Sequence, residues 1–275
     1  MNLGDLSGPL LFFGGPYSNL QATNALKNVA DELGIPARNI ICTGDVVAYC
    51  GQPNETVAAL RDWGVHVVMG NCEESIGERL DDCGCGFEPG SACDLLSVTW
   101  YQFTHTRIDA DHRTWMRALP RRIDFRYADK AVAVVHGSIN AINEFVFASR
   151  SDTELRKQIA AAESDIVVGG HSGLPFSRRA EDKLWHNPGV IGMPANDGTQ
   201  RGWYSLWNCQ DGVINIEHRA LDYDAHAASK AMQNAGLVNG YSDALLSGLW
   251  PSEDILPDAE RVRRAAPIEP HSLMY

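Results

Sequence analysis

Four residues far apart in the chain carry side chains that a divalent cation would accept: Asp45, Asn71, His136 and His171. They sit in the phrases Gly44-Asp45, Gly70-Asn71, His136-Gly137 and Gly170-His171, each just after an apolar run. A hard or borderline cation is satisfied by carboxylate, amide oxygen and neutral imidazole. Such a set has to converge from several strand ends, because one strand offers only one or two side chains at a given point. A single Gly-Asp or His-Gly most often marks a turn. Four in this order, followed by Asn187-Pro188-Gly189, make a far less accidental pattern.

The apolar runs that would position these donors are Leu10 to Phe13, Ile40 to Cys42, Val65 to Met69, Ala131 to Val135 and Ile166 to Val168. They are too continuous for half-exposed strands and too short for most helices, so they predict strands buried on both faces. Helical patterns lie between them, over Asn19 to Leu33, Asn54 to Trp63 and Asp152 to Ala162. The first has Leu20, Leu26, Val29, Ala30 and Leu33 on one face, and Gly34 with Pro36 beyond it as a stop. Alternation of strand and helix predicts a layered α/β fold with function at the carboxyl ends of the strands. From about residue 77 to 120 the pattern changes to a loop rich in Gly and Cys and two helical segments, Ala92 to Thr106 and Ala110 to Leu119, expected to cap the site. Antiparallel strands then follow at Lys183 to Asn187, Trp203 to Asn208 and Val213 to Ala220, with a helix at about Tyr223 to Ala235. Residues 1–240 are read as one domain and 241–275, with several prolines, as a C-terminal tail of mixed pattern: a short surface helix or a partly disordered segment.

Composition sets the outer limits. The 275 residues are 44% hydrophobic, ample for a core, and the formal charge of −12 opposes binding to a long nucleic acid while allowing a small phosphorylated partner. No apolar stretch approaches the roughly 20 residues of a membrane span, and no export signal precedes the first strand, so a cytoplasmic address is the expectation. Seven cysteines, an odd number, with Cys42, Cys72 and Cys209 in or beside predicted strands, suit reduced thiols. Nothing in the sequence opposes a homo-oligomer.

The ordered donor set resembles the calcineurin-like metallophosphoesterases, particularly their small bacterial phosphodiesterase branch. The resemblance runs from about Leu10 to Ala220. Its most specific stretch is Gly44 to Glu55, which is similar to that branch's Gly-Asp-x-Val-Gly-Tyr-Gly-x-x-Pro-Asn-Glu loop, and Ser18-Asn19-Leu20-Gln21-Ala22 is similar to its Gly-Asn-Leu-Glu-Ala. The resemblance implies an α/β protein built as a two-layer β-sandwich flanked by helices, with two metal ions about 3.5–4 Å apart that bind phosphate and activate a water. It implies that Asp45 bridges the ions and that Asn71, His136 and His171 complete one of the two positions. The other position departs from the family pattern: its Asp-x-His is Gly15-Pro16-Tyr17 here, and the last histidine of Gly-His-x-His is Gly173. The expectation is therefore one divalent transition metal per chain, Mn, Fe, Zn or Ni. Cys72 occupies a position where many relatives carry a histidine that assists the leaving oxygen, and a thiol beside a cation could serve as ligand or acid, or simply pack. Glu73 stands where relatives carry an acidic residue that supports the site from behind.

Outside this set, Cys83-Gly84-Cys85 with Cys93 suggests either a small thiolate site or merely reduced thiols in a Gly-rich loop. Tyr17 and Tyr49 are expected at the pocket mouth as hydrogen-bond donors or packing groups, and Arg178, Arg179 and Arg201 in loops nearby. His105, His112, His186, His218, His226 and His271 have no partner pattern and are read as surface or packing residues. Trp63, Trp100, Trp115, Trp203 and Trp207 read as core aromatics. The catalytic residues expected are Asp45, Cys72 and His136, hydrolysing a small phosphate ester as phosphodiesterase or phosphatase. A non-catalytic ligand-binding or protein-interaction module on the same scaffold is the other reading.

Overall fold

The computed structural model describes Met1–Tyr275 as two six-stranded sheets packed face to face with helices outside them. One sheet has the order β1 (Asn2–Asp5), β5 (Ile123–Tyr127), β6 (Lys130–Val134), β7 (Ile166–Val168), β9 (Lys183–Asn187), β8 (Phe176–Ala180). The other has the order β12 (His271–Met274), β11 (Val213–Leu221), β10 (Gly202–Gln210), β2 (Leu10–Phe13), β3 (Ile40–Cys42), β4 (His66–Val67). Each contains a parallel trio: β6-β7-β9 lies between antiparallel β5 and β8, and β2-β3-β4 has antiparallel β10 beside β2 and ends at the sheet edge with β4. The α/β sandwich expected from the sequence is the one observed.

Period-two alternation explains why the apolar runs are continuous. Leu10 and Phe12 point into the sandwich with Ile41, Val134, Val168 and Trp207, while Leu11, Phe13, Ile40 and Cys42 turn outward. There they meet α1 (Leu20–Glu32) and α2 (Pro53–Trp63) through Leu26, Ala30, Val57 and Leu60. The other sheet buries Ala133, Val135 and Val167 against Leu155 and Ile159 of α6 (Asp152–Ala161). At roughly 25 cal/mol per Å² of apolar surface, each fully buried side chain of this kind contributes about 1.5–3 kcal/mol. Trp100, Trp203 and Trp207 are fully buried, and Trp63 and Trp115 pack against the core.

Three stretches differ from the sequence expectation. Asn71 is the first residue of α3 (Asn71–Glu78), a helix absent from the sequence expectation. That segment has little apolar periodicity, but Glu73 accepts the Gly70 N–H at 3.0 Å and so caps its N-terminus. Arg178 and Arg179 belong to the edge strand β8, not to loops. Cys83 and Cys85 are joined in a disulfide, against the expectation of reduced thiols there. Gly84, at φ +64, folds the chain back between them, whereas Cys42, Cys50, Cys72, Cys93 and Cys209 are free.

Between α3 and β5 lie α4 (Ala92–Arg107) and α5 (Ala110–Arg117). After β11 come α7 (Ala225–Asn234), α8 (Gly240–Ser247) and α9 (Asp258–Arg261), and the chain ends by adding β12 to β11. Residue 240 therefore starts a helix, and Tyr241 on it stacks on Tyr49 with ring centroids 4.3 Å apart. No helix is long and apolar enough to cross a membrane.

Candidate functional site

Asp45 follows β3, Asn71 follows β4, His136 follows β6 and His171 follows β7, so the ends of strands from both sheets deliver the four side chains to one place. The seam between the sheets leaves no room for a Cβ at Gly44, which would lie 2.8 Å from His136 Nδ1, from the Gly70 nitrogen and from the Val68 oxygen. Left-handed backbone at Asp45 (φ +55) and His171 (φ +55) turns both side chains inward. Non-glycine residues adopt that conformation at a cost of about 1–3 kcal/mol, borne only where the surroundings enforce it.

His136 Nε2 lies 3.0 Å from Asn71 Oδ1, 3.1 Å from His171 Nδ1 and 3.3 Å from Asp45 Oδ2. The hydrogen bonds around this point fix which atoms face it. His136 Nδ1–H donates to the Thr43 carbonyl at 2.7 Å, which leaves Nε2 as the lone-pair nitrogen of a neutral ring. Asn71 Nδ2 donates to the Cys83 carbonyl at 2.9 Å, so its oxygen faces inward. The Asp45, His136 and His171 donor atoms all lie within 4.8 Å of one another. All three residues and Asn71 are buried.

Acceptors aimed at acceptors repel unless a cation lies between them, and this is the test a metal must pass. The residues fit a divalent ion. Without one, a proton on His136 meets the same demand: the Asp45 carboxylate, opposed by burial, raises the pKa of this ring. His171 is held down to about 3 by burial and by the His136 charge. Burial pushes Asp45 up, but the two imidazoles outweigh it and leave the carboxyl below its usual range.

Backbone donors hold the carboxylates. Asp45 Oδ1 accepts the Cys72 N–H at 3.2 Å, at the N-terminus of α3, where the helix dipole favours negative charge. Glu73 is fully buried behind Asp45 and accepts the N–H groups of Asp45, Val46 and Gly70 at 2.8, 2.8 and 3.0 Å, with Val47 at 3.3 Å. Burial, with the nearby Asp45 charge, pushes its carboxyl up to about 7 against those donors.

The positions that depart from the family pattern are filled differently. A Cβ on Gly15 (φ +41) would meet the Tyr17 ring at 2.5 Å and Val190 Cγ1 at 2.7 Å, and one on Gly173 would meet the Trp250 ring at 3.5 Å. Tyr17 packs edge-on against Tyr49 at 4.7 Å, and Phe145 lies 4.2 Å from the His171 ring. These residues, with Phe87, Met193 and Tyr241, surround a pocket of about 60 Å³ that opens onto Asp45 and His171. Tyr17 and Tyr49 both line it, and so do Cys85, Phe87 and Cys93 from the inserted region. Cys72 does not line it: its thiol is buried behind Asp45, and burial, Asp45 and Glu73 raise its pKa well above the thiol range. Nor do the three arginines. Arg178 pairs with Asp152, Arg179 with the Met274 carbonyl and Arg201 with Asp197. Sequence reasoning missed Phe145, Val190, Met193, Tyr241 and Trp250, which come from loops and the last helices without any periodic signal.

The chain matches known proteins along most of its length. Residues 18–212 match the model of the calcineurin-like phosphoesterase superfamily domain. An uncharacterized protein of Methanocaldococcus jannaschii, MJ0912, is 27% identical over 251 residues, covering 84% of this chain and 95% of the relative. A metallophosphoesterase of Sphaerobacter thermophilus superposes with a TM-score of 0.69 at 20% identity, over 89% of this chain and 100% of that one. The hypothetical protein PH1004 of Pyrococcus horikoshii does so with a TM-score of 0.73 at 14% identity, over 91% of this chain and 100% of its own. At these identities the solved structures establish the fold, and the domain match establishes descent: the chain belongs to the calcineurin-like phosphoesterase superfamily.

Proposed function

We propose that this protein is a metal-dependent hydrolase of a small phosphate ester working with one divalent transition metal per chain, Mn, Fe, Zn or Ni. Asp45, Asn71, His136 and His171 would hold the ion. The observation that carries the reading is the convergence of the Asp45 and Asn71 oxygens and His171 Nδ1 within 3.3 Å of His136 Nε2, which is an acceptor in the neutral ring. When bound, such an ion supplies Lewis acidity toward a phosphoryl oxygen and acidifies a water.

The remaining work falls to the chain. Thr43 fixes the His136 tautomer, Cys83 fixes the Asn71 amide, and the Cys72 N–H with Glu73 holds the Asp45 loop in place. The Tyr17 and Tyr49 phenols, kept neutral by burial, line the pocket and would donate to a phosphoryl oxygen there. Cys72 serves through its backbone N–H, and Cys72→Ser should leave turnover within about twofold; a loss of about tenfold or more (about 1.4 kcal/mol) would give the thiol the acid role.

A second reading, a metal-dependent binding module without turnover, is favoured by one feature. The Tyr17 ring and Val190 fill the space where a Gly15 side chain would reach, so no second ligand set backs the first. The experiment that separates the two is hydrolysis of bis-p-nitrophenyl phosphate and p-nitrophenyl phosphate with added Mn²⁺. Turnover abolished by Asp45→Asn supports the hydrolase. Metal-loaded protein that leaves both esters intact supports the binding module.

A further inference from the structure

Building on the reading of this site as a phosphoester site, we infer that it selects a singly charged phosphoryl ester carrying a compact apolar substituent, and that Phe145, Val190 and Trp250 make the selection. The charge count comes first. The pocket is lined by no lysine or arginine, and Asp45 is its one carboxylate; Glu73 behind it can add only negative charge. A divalent ion on Asp45 leaves at most one net positive charge. A diester carries one negative charge, whereas a monoester near neutral pH carries about two, since its second pKa is about 6. The diester is neutralised. The monoester brings an unpaired charge into a buried, water-poor place, where isolated charge is strongly disfavoured.

The walls point the same way. At the two glycines that stand for ion ligands, the neighbouring space holds Val190 and the Tyr17 ring at Gly15, and the Trp250 ring at Gly173. Phe145 covers His171 from the other side. What would be cation-coordinating surface is hydrocarbon and aromatic surface, which gains nothing from a charged or hydrated group and gains contact with an alkyl one. Size sets the last limit. One water requires about 10–15 Å³ on this measure, so a space of about 60 Å³ suits a compact substituent.

The test is calorimetric titration of the metal-loaded protein at pH 7.5 with diethyl phosphate, ethyl phosphate and inorganic phosphate. Ethanol release is measured alongside, so that heat from turnover is separated from heat of binding. Diethyl phosphate should bind at least tenfold more tightly than either dianion. Phe145→Arg, with unchanged metal content, should reverse the order by strengthening ethyl phosphate at least tenfold. Trp250→Ala, which widens the slot without adding charge, should let the larger diphenyl phosphate bind at least tenfold better while the preference for diesters stays. Ethyl phosphate or inorganic phosphate matching diethyl phosphate in the unaltered protein would overturn this inference and leave the phosphoester reading standing. Metal-loaded protein that binds none of the three would overturn both.

Discussion

At one end of the sandwich His136 and His171 turn ring nitrogens toward a carboxylate and an amide oxygen; between its sheets His186 and His218 turn theirs toward serine hydroxyls. All four rings are buried, and all come from strands or strand ends. In the second cluster Ser177 Oγ lies 2.8 Å from His186 Nδ1 and 2.9 Å from His218 Nε2, and Ser205 Oγ lies 2.7 Å from His186 Nε2. A hydroxyl both donates and accepts, so neutral rings and serines can meet one another's needs. In the first cluster the Asp45 and Asn71 oxygens only accept, and so does His136 Nε2 while its ring is neutral. The difference separates a buried network in which hydroxyls serve the rings as donor or acceptor, with only His218 Nδ1 left over, from one that calls for a cation, and histidine count or burial alone would not reveal it.

The comparison breaks most visibly if the first cluster tolerates loss of a donor. Asp45→Asn removes the only carboxylate of the set, and turnover should fall on the order of 10³-fold, about 4 kcal/mol, in steady-state assays with added metal. Glu73→Gln keeps one acceptor oxygen but places an amide N–H₂ against N–H donors of the Asp45 loop. Stability should drop by about 2–4 kcal/mol in urea denaturation, with metal affinity weakened 10–100-fold.

The second cluster should answer to pH instead. Burial holds His186 well below its ordinary value and His218 at about 3, so the unfolded chain takes up protons below about 6.5 that the folded chain refuses. Stability is then full above about pH 6.5 and falls toward pH 3, by up to about 1.4 kcal/mol per pH unit for each ring. His218→Gln should remove one ring's share of that slope in denaturation curves taken between pH 7.5 and 5; an unchanged slope would mean that the ring is not neutral in the fold. The smallest effect belongs to Arg178→Gln, which touches neither cluster and pairs with an exposed Asp152. It should change turnover by less than about twofold and stability by less than about 1 kcal/mol.

The two clusters were unequally legible in the sequence. Asp45, Asn71, His136 and His171 stand out because each follows a buried strand, and strands buried on both faces write themselves as unbroken apolar runs. The serine and histidine network leaves no such mark, since Ser177 pairs with His186 across one hairpin and Ser205 with His218 across another. Only the register of two hairpins, and then the stacking of two sheets, brings them together. Four strands escaped notice, for different reasons: β1 is short and mostly exposed. β8 carries two arginines on a sheet edge, β12 follows a proline-rich stretch, and β5 alternates clearly but directly follows the inserted helices. The pocket wall was unreadable for a related reason: Val190, Phe145 and Trp250 are brought together by tertiary packing, with no period to announce them.

The glycines at positions 15 and 173 give a constructive version of the comparison. Gly15→Asp, Tyr17→His and Gly173→His would restore the missing ligands, and because a Gly15 side chain also meets Val190, Val190→Ala belongs in the set. The combined variant should bind a second ion, read by elemental analysis, and an unchanged stoichiometry would argue that the strand end at Gly15 does not face the first ion.

The central claim is tested most directly by counting metal in the unaltered protein. Inductively coupled plasma mass spectrometry on chain purified without chelator should find about one transition metal ion per chain, falling to background in Asp45→Asn and in His171→Ala. Two ions per chain, or one that survives both substitutions, would contradict the account.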